Sequence, residues 1–310
     1  MRSVPTRSRL AFGGLAAALV LAGTACGTDG GDAGDQTIQS GGPSPASTSP
    51  SSAVDAALAA KVPDSIKSDG KITVGTDSTY APNEFLAADG KTIEGFDVDL
   101  FNAVAAKFGL TAEFVTAPFD NIIPGVGSAK YEIGVSSFTI NDDRKKQVNM
   151  VSYFEAGTQW AAKSGATFDI ENACGKKVAV QKGTVQVDDL TARSKKCTDA
   201  GKPAITIDQY QAQSDATNAV VSGKDDAMLA DSPVCAYAVK QTNGQLALVG
   251  DIYDSAPYGY VLPKDQTDFA DAISQALQAL ITDGTYKQIL AKWGVEAGAI
   301  TTPAVNPPVS

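Results

Sequence analysis

The sequence predicts an α/β protein of two lobes, each a mostly parallel sheet flanked by helices, joined by two hinge crossings of the chain. Three observations carry this prediction. The 310 residues are 43% apolar, enough for two ordinary cores. From Lys71 onward, short apolar runs of strand character alternate with segments of helical period. The alternation restarts after Lys163-Ser164-Gly165, and the closing helices, which lack a sheet of their own, are expected to return to the first set.

In chain order, Lys71–Thr76 reads as a buried strand. Phe96–Phe108 reads as a helix, with Phe101, Val104, Ala105 and Phe108 on one stripe and Gly109 as its stop. Leu110–Thr116 is a strand, Phe119–Ala129 a helix interrupted near Pro124, and Glu132–Ser136 a strand. In the second set, Lys177–Val180, Ile205–Ile207, Ala227–Leu229 and Leu246–Val249 are strands. Helices at Val187–Ser194, Asp215–Ser222 and Pro233–Gln241 separate them. Tyr258–Lys264 is a short strand-like run. A long amphipathic helix follows through Phe269, Ile273, Leu277, Leu280 and Ile281, then a last one at Tyr286–Trp293. The expected division is 61–160 with 260–300 for lobe 1, 161–259 for lobe 2, and a disordered tail at 301–310. Two crossings make a hinge, and a ligand is expected in the cleft between the lobes.

The N-terminus reads as an address. Arg2, Arg7 and Arg9 precede a small and apolar run from Leu10 to Ala25, too short to span a bilayer, which fits a signal peptide at 1–25. Gly23-Thr24-Ala25-Cys26 resembles a bacterial lipobox, in which Cys26 is lipidated after cleavage. From Gly27 to Ser52 the chain is dominated by Gly, Ser, Thr and Pro, with Asp29, Asp32 and Asp35 as its only charges. A disordered linker is expected over 26–60, tethering the body to the outer face of the cell membrane.

Composition narrows the chemistry. The chain contains no histidine, which excludes a Ser-His-Asp triad, a Cys-His pair and any His-containing zinc or haem site. The formal net charge of −10 argues against nucleic acid as a partner. No cofactor or metal is expected, and the body reads as a monomer. An exported chain meets oxidising conditions. Cys174 and Cys197 flank polar, lysine-containing segments and form the expected disulfide, worth ~3 kcal/mol in the chain-entropy picture. Cys235 lies in an apolar helical run and reads as a buried small residue.

Eight spaced motifs then carry a resemblance. They are GTDSTYAP (75–82), GFDVDLFNAVA (95–105), FDNIIPGV (119–126), SSFTINDDR (136–144), VQKGTVQ (180–186), MLADSP (228–233), PYGYVLPK (257–264) and DGTYKQILAKWGV (283–295). Together they resemble the bacterial extracellular solute-binding proteins of family 3, the capture subunits of ABC importers for polar amino acids. The resemblance implies a two-lobed periplasmic-binding-protein-like fold closing over one amino acid, which is delivered to a membrane permease. Carried over by position, it implies that Arg144 grips the ligand α-carboxylate and Asp231 holds the α-ammonium. Tyr80 and Phe119 become aromatic walls. Ser136, Ser137 and Thr139 become strand-end hydrogen-bonding residues, and Thr184 a donor from the second lobe. Asp77 and Gln181 are placed near the ligand side chain.

Read without the resemblance, the same residues have ordinary roles. Arg144 lies in the charge run Asn-Asp-Asp-Arg-Lys-Lys, which suits a solvated helix start capped by Asn141. Asp231 suits a helix N-cap before Ser-Pro, and Tyr80 and Phe119 suit a core. Gly183 suits a backbone turn. With Asp77, Asn83, Glu84 and Gln181 placed by the resemblance near the side-chain end, a polar or cationic amino acid is favoured over a branched aliphatic one. Two other functions compete. One is an enzyme like the cyclohexadienyl dehydratases, with Glu84 or Asp77 as proton donor. The other is a lipoprotein that binds ligand only to signal.

Overall fold

A computed structural model describes residues 54–309. The expected leader, the expected lipidation at Cys26 and most of the expected linker lie outside the described residues. In chain order the elements are α1 (Ala56–Ala59), α2 (Asp64–Lys67), β1 (Lys71–Thr76), β2 (Thr79–Tyr80), β3 (Glu84–Leu86), β4 (Ile93–Glu94), α3 (Phe96–Lys107), β5 (Thr111–Thr116), α4 (Phe119–Gly127), β6 (Ile133–Thr139) and α5 (Asp142–Gln147). They continue with β7 (Val148–Lys163), β8 (Lys177–Gln181), α6 (Val185–Asp199), β9 (Thr206–Tyr210), α7 (Gln213–Ser222), β10 (Ala227–Asp231), α8 (Ser232–Gln241), β11 (Leu246–Pro263), α9 (Thr267–Thr282) and α10 (Thr285–Trp293).

The main sheet runs β5-β1-β6-β11-β7-β10-β8-β9. In each lobe the outer strands pair in parallel, β1 with β5 and β6, and β8 with β9 and β10. The two crossing strands, β7 and β11, are antiparallel to each other along both lobes. They join what reads in the sequence as two sheets into one continuous ladder. Their register shifts between Val249 and Tyr253 and again between Tyr253 and Ala256, so the ladder is irregular where the chain passes between lobes. Such bulges bend a strand locally.

Lobe 1 holds one large core and a second cluster around Phe119, Ile122, Phe138 and Met150. Leu100, Phe101 and Val104 of α3 pack with Ile72 and Val74 of β1, Ile133 and Val135 of β6, and Phe269, Ile273 and Leu277 of α9. Lobe 2 divides into a cluster rich in alanine (Ala161, Ala179, Ala216, Ala219 and Ala230) and a second one around Trp160, Val178, Val180 and Leu190. Cys174 and Cys197 are joined by a disulfide. Cys235 is buried and its thiol donates to the Gln159 carbonyl at 3.1 Å.

Three boundaries differ from the sequence reading. The linker expected to reach residue 60 gives way to structure earlier. Asp55 caps α1 by accepting from Ala57 N and Leu58 N, and Leu58 is buried in the lobe 1 core. The cap, the helix-forming alanines and one apolar anchor explain the order. The tail expected to be disordered packs along β7, where Val305 bridges Val151; its backbone completes an edge strand, a role that leaves no periodic signal. The lobe limits expected at 160 and 259 also move, because β7 and β11 each run through both lobes. Residues 256–263 of β11 already pair with 148–156 of β7 in lobe 1.

Candidate functional site

Arg144 sits in α5, a helix of six residues whose first turn is capped by Asn141 Oδ1 accepting from Arg144 N at 2.8 Å. The solvated reading holds for its neighbour Lys146, which is exposed, but not for Arg144, which is 9% exposed. Its guanidinium lies 5.4 Å from the Phe119 ring and 5.5 Å from the Phe138 ring. Those two rings stack at 4.7 Å. Nη1 donates to the Thr139 carbonyl at 2.7 Å and Nη2 to the Gly183 carbonyl at 3.1 Å. Burial lowers its pKa to about 10, which leaves it charged at neutral pH.

Asp231 ends β10 and stands at the N-cap of α8, yet its side chain makes no cap bond. It accepts instead from the Tyr80 hydroxyl at 2.8 Å and from Gln186 Nε2 at 2.7 Å. Gln186 Nε2 also reaches Thr158 Oγ1 at 3.1 Å. Burial pushes the Asp231 carboxyl above its ordinary value, and the hydrogen bonds of Tyr80 and Gln186 pull it back.

A narrow cavity of about 10 Å³ separates these groups. It is lined by Tyr80, Phe119, Ser137, Thr139 and Arg144 of lobe 1 and by Thr184, Val185, Gln186 and Asp231 of lobe 2. A cation and an anion from opposite lobes thus face one space between aromatic walls. Thr184 does not cap α6; its hydroxyl donates to the Gln181 carbonyl at 2.8 Å.

Three expected residues do not line this cavity. Ser136 turns into lobe 1, donating to Glu84 Oε1 at 2.8 Å and accepting from Asp77 N at 3.0 Å. Asp77 and Gln181 bond to each other across the lobes at 3.1 Å. Asp77 also accepts from Thr79 N, Thr79 Oγ1 and Phe119 N, so the acceptor sites of its carboxylate are all engaged. Gln186 and Thr158 escaped the sequence reading. Gln186 closes the VQKGTVQ motif, and a glutamine in the first turn of a helix after a Gly-Thr turn was the available signal.

Behind the wall of lobe 1 lies a network of buried acids. Asp97 Oδ2 accepts from Ser137 N and Ser137 Oγ, each at 3.1 Å, and from the Tyr153 hydroxyl at 2.6 Å. These bonds hold Ser137 at φ 53°, a left-handed conformation that costs a non-glycine residue of order 1 kcal/mol or more. Burial, the Asp97 charge and the Asp77 charge drive the Glu84 carboxyl well above its usual range, and burial raises Asp97 to about 6. Gly95 permits the approach of α3 to this network: at φ 142°, a Cβ there would meet the Asn83 carbonyl oxygen at 2.0 Å. Gly183, at φ 81°, makes the expected turn, and a Cβ there would press on Asp120 at 2.9 Å.

Comparison with known proteins fits this architecture. The arginine-binding protein ArgT of Corynebacterium glutamicum is 37% identical over 252 residues, covering 80% of this chain and 82% of that protein. An L-arginine-binding protein of Pseudomonas aeruginosa is 30% identical over 235 residues, covering 73% and 88%. Among solved structures, an ancestral arginine-binding protein bound to arginine superposes with a TM-score of 0.67 at 35% identity, covering 72% of this chain and 98% of that one. The model of the bacterial extracellular solute-binding proteins, family 3, matches residues 72–296. That span takes in both faces of the cavity and both crossing strands, and the chain belongs to this family.

Proposed function

We propose that this chain is the capture subunit of an ABC importer, holding an amino acid with a cationic side chain, arginine foremost, between its lobes. The observation that carries the reading is the facing of Arg144 and Asp231 from opposite lobes across one cavity. A zwitterion needs a cation for its carboxylate and an anion for its ammonium, and it bridges the lobes only when they are closed. Arg144 supplies a planar fork suited to a carboxylate, and burial strengthens each charge-assisted bond. Asp231 is oriented for the ammonium by Tyr80 and Gln186. Phe119 and Tyr80 flank the aliphatic part of the ligand, and Ser137, Thr139 and Thr184 add polar contacts.

The cationic preference has two supports. Asp77, Glu84 and Asp97 are each 3% exposed or less, and among the described residues none of the three has an ion-pair partner at salt-bridge distance. The charge of Asp77 and Asp97 favours a cation nearby, while Glu84, driven well above its usual range, holds its proton and adds none. The relatives named as arginine-binding agree with this. The ligand leaves chemically unchanged. Its binding shifts the lobes toward the closed form that a permease recognises. The protein acts as a monomer, exported and held at the membrane by a lipid on Cys26. Micromolar affinity needs about 8 kcal/mol, within reach of a desolvated double ion pair with aromatic walls.

A thermal-shift screen of the purified protein against the twenty amino acids tests this. A ligand at one hundred times its Kd adds ~2.7 kcal/mol of stability, and arginine should give the largest shift, with the recovered arginine unaltered in mass. No response to any amino acid would sink the reading, and a change in ligand mass would replace capture by catalysis.

A further inference from the structure

The residues after 296 lie beyond the family match, yet they are fastened to lobe 1. Ser152 N donates to the Ala304 carbonyl at 2.9 Å, and Ala304 N to Ser152 Oγ at 2.8 Å. Asn306 N donates to the Met150 carbonyl at 2.7 Å, and Met150 N to Asn306 Oδ1 at 2.8 Å. Asn306 Nδ2 reaches Asn149 Oδ1 at 3.0 Å. The Pro307 carbonyl then accepts from Lys145 Nζ at 2.9 Å. Val309 packs against the apolar cluster that contains Phe119, Phe138 and Met150.

These contacts converge on one place. Lys145 is the residue after Arg144, and Phe119 and Phe138 are the rings against which the Arg144 guanidinium rests. Helix α5 has only six residues, far below the length at which a helix holds itself. Its position therefore depends on what it is tied to. Besides the Asn141 cap and the Lys145–Asp142 ion pair at 3.0 Å, Lys264 Nζ donates to the Lys145 carbonyl at 2.6 Å, and the tail supplies a further tie. Covering the edge of β7 would need only the segment around Ala304–Asn306. The continuation to Pro307 and Val309 goes past that edge to α5 and the aromatic floor.

We propose that the C-terminal segment 303–309 is a positioning strap for Arg144, setting the guanidinium for a ligand carboxylate, with Asn306 and Lys145 as its two fastening points. The ligand half of this inference rests on the proposed role of Arg144; the mechanical half does not.

The experiment compares the full chain with a chain ending at Thr302 and with the single variants Lys145→Met and Asn306→Ala, which keep the tail. Hydrogen exchange followed by mass spectrometry reads residues 141–148, which exclude Met150 and its direct bond to Asn306, without ligand. Calorimetry then measures arginine and argininamide, whose carboxylate is replaced by a neutral amide. Exchange over 141–148 should accelerate in all three variants while β8 to β10 stay protected. Arginine affinity should fall about five- to tenfold, and argininamide affinity by less than about twofold. Unchanged exchange over 141–148 overturns the strap whether or not any amino acid binds. An equal loss for arginine and argininamide overturns the link to Arg144. A full chain that binds neither compound defeats the proposed function, and the exchange comparison still decides the strap.

Discussion

Lobe 1 and lobe 2 bury the two halves of one sheet with different materials. Lobe 1 uses two clusters with several aromatic rings, including the stacked pairs Tyr153 with Tyr260 at 4.1 Å and Phe119 with Phe138 at 4.7 Å. Lobe 2 uses small side chains on one face, a modest apolar cluster on the other, and a disulfide that fastens α6 to the segment before β8. Small residues let helices approach closely but remove little apolar surface from water each. The cross-link therefore has more to contribute in lobe 2. The asymmetry continues at the cleft. Lobe 1 brings the cation, the rings and a store of buried acids, and lobe 2 brings one acid and a polar helix start.

The largest effect expected from this division is on binding. Arg144→Ala removes the only arginine that lines the cavity among the described residues, and two charge-assisted bonds are worth roughly 3–5 kcal/mol. Amino-acid affinity should drop at least a hundredfold while the circular dichroism spectrum stays that of the parent. Retained affinity would take the α-carboxylate away from lobe 1 and undo the assignment of charges between the lobes.

The difference in cores is sharpened by the double variant Cys174→Ser with Cys197→Ser. The expected cost is about 2–4 kcal/mol, read as faster hydrogen exchange over α6, β8 and β9 with β1, β5 and β6 unaffected. Equal loosening of both lobes would mean that the disulfide supports the whole body and that lobe 2 has no special need of it.

The buried acids of lobe 1 make an opposite kind of test. Burial raises Asp97 to about 6 and lifts Glu84 as well. An acid that holds its proton more tightly when folded than when unfolded adds stability as pH falls through about 6 toward the ordinary carboxylate range. It withdraws that stability as pH rises. The melting temperature should therefore climb between pH 7.5 and pH 5, by the equivalent of roughly 1–3 kcal/mol, and Asp97→Asn should flatten the climb. A parent protein that melts at the same temperature across that window would show that the cluster shares its charge without strain.

Much of the fold is legible in the sequence, and the failures have physical causes. β1 begins and ends where its apolar run does, and α9 follows its stripe of Phe269, Ile273 and Leu277. β7 leaves no such trace, because both of its faces are covered and only Glu155 and Lys163 are exposed. Without alternation or an internal turn, Val148–Lys163 carries no period to read. The strands β2 to β4 are too short to register, and the tail binds through its backbone. At the site, Arg144 is hidden inside a run of charges and becomes visible only through the family motif. Ser136 and Ser137 are adjacent in sequence and look alike. The bond of Ser137 to Asp97 turns one toward the cavity, and the bond of Ser136 to Glu84 turns the other away. That choice depends on partners about 40 and 50 residues distant, beyond any local pattern.

The smallest effect tests how the two lobes hold each other. The Tyr80 hydroxyl donates to Asp231 Oδ2 at 2.8 Å and accepts from Asp231 N at 3.2 Å, so one oxygen of lobe 1 engages both the side chain and the backbone at the end of β10. Tyr80→Phe keeps the aromatic wall and removes that link. Asp231 retains Gln186, and a bound ammonium can take the freed acceptor. The net change in affinity should stay within about fivefold, because a weaker contact between lobes and a less occupied carboxylate act in opposite directions. The unliganded form has no such compensation. Small-angle scattering should show its radius of gyration increase in the variant, while the ligand-bound forms of parent and variant coincide. An unliganded radius identical to that of the parent would move the closing contact to the outer rim, where Asp120 of lobe 1 meets Lys182 and Gln211 of lobe 2.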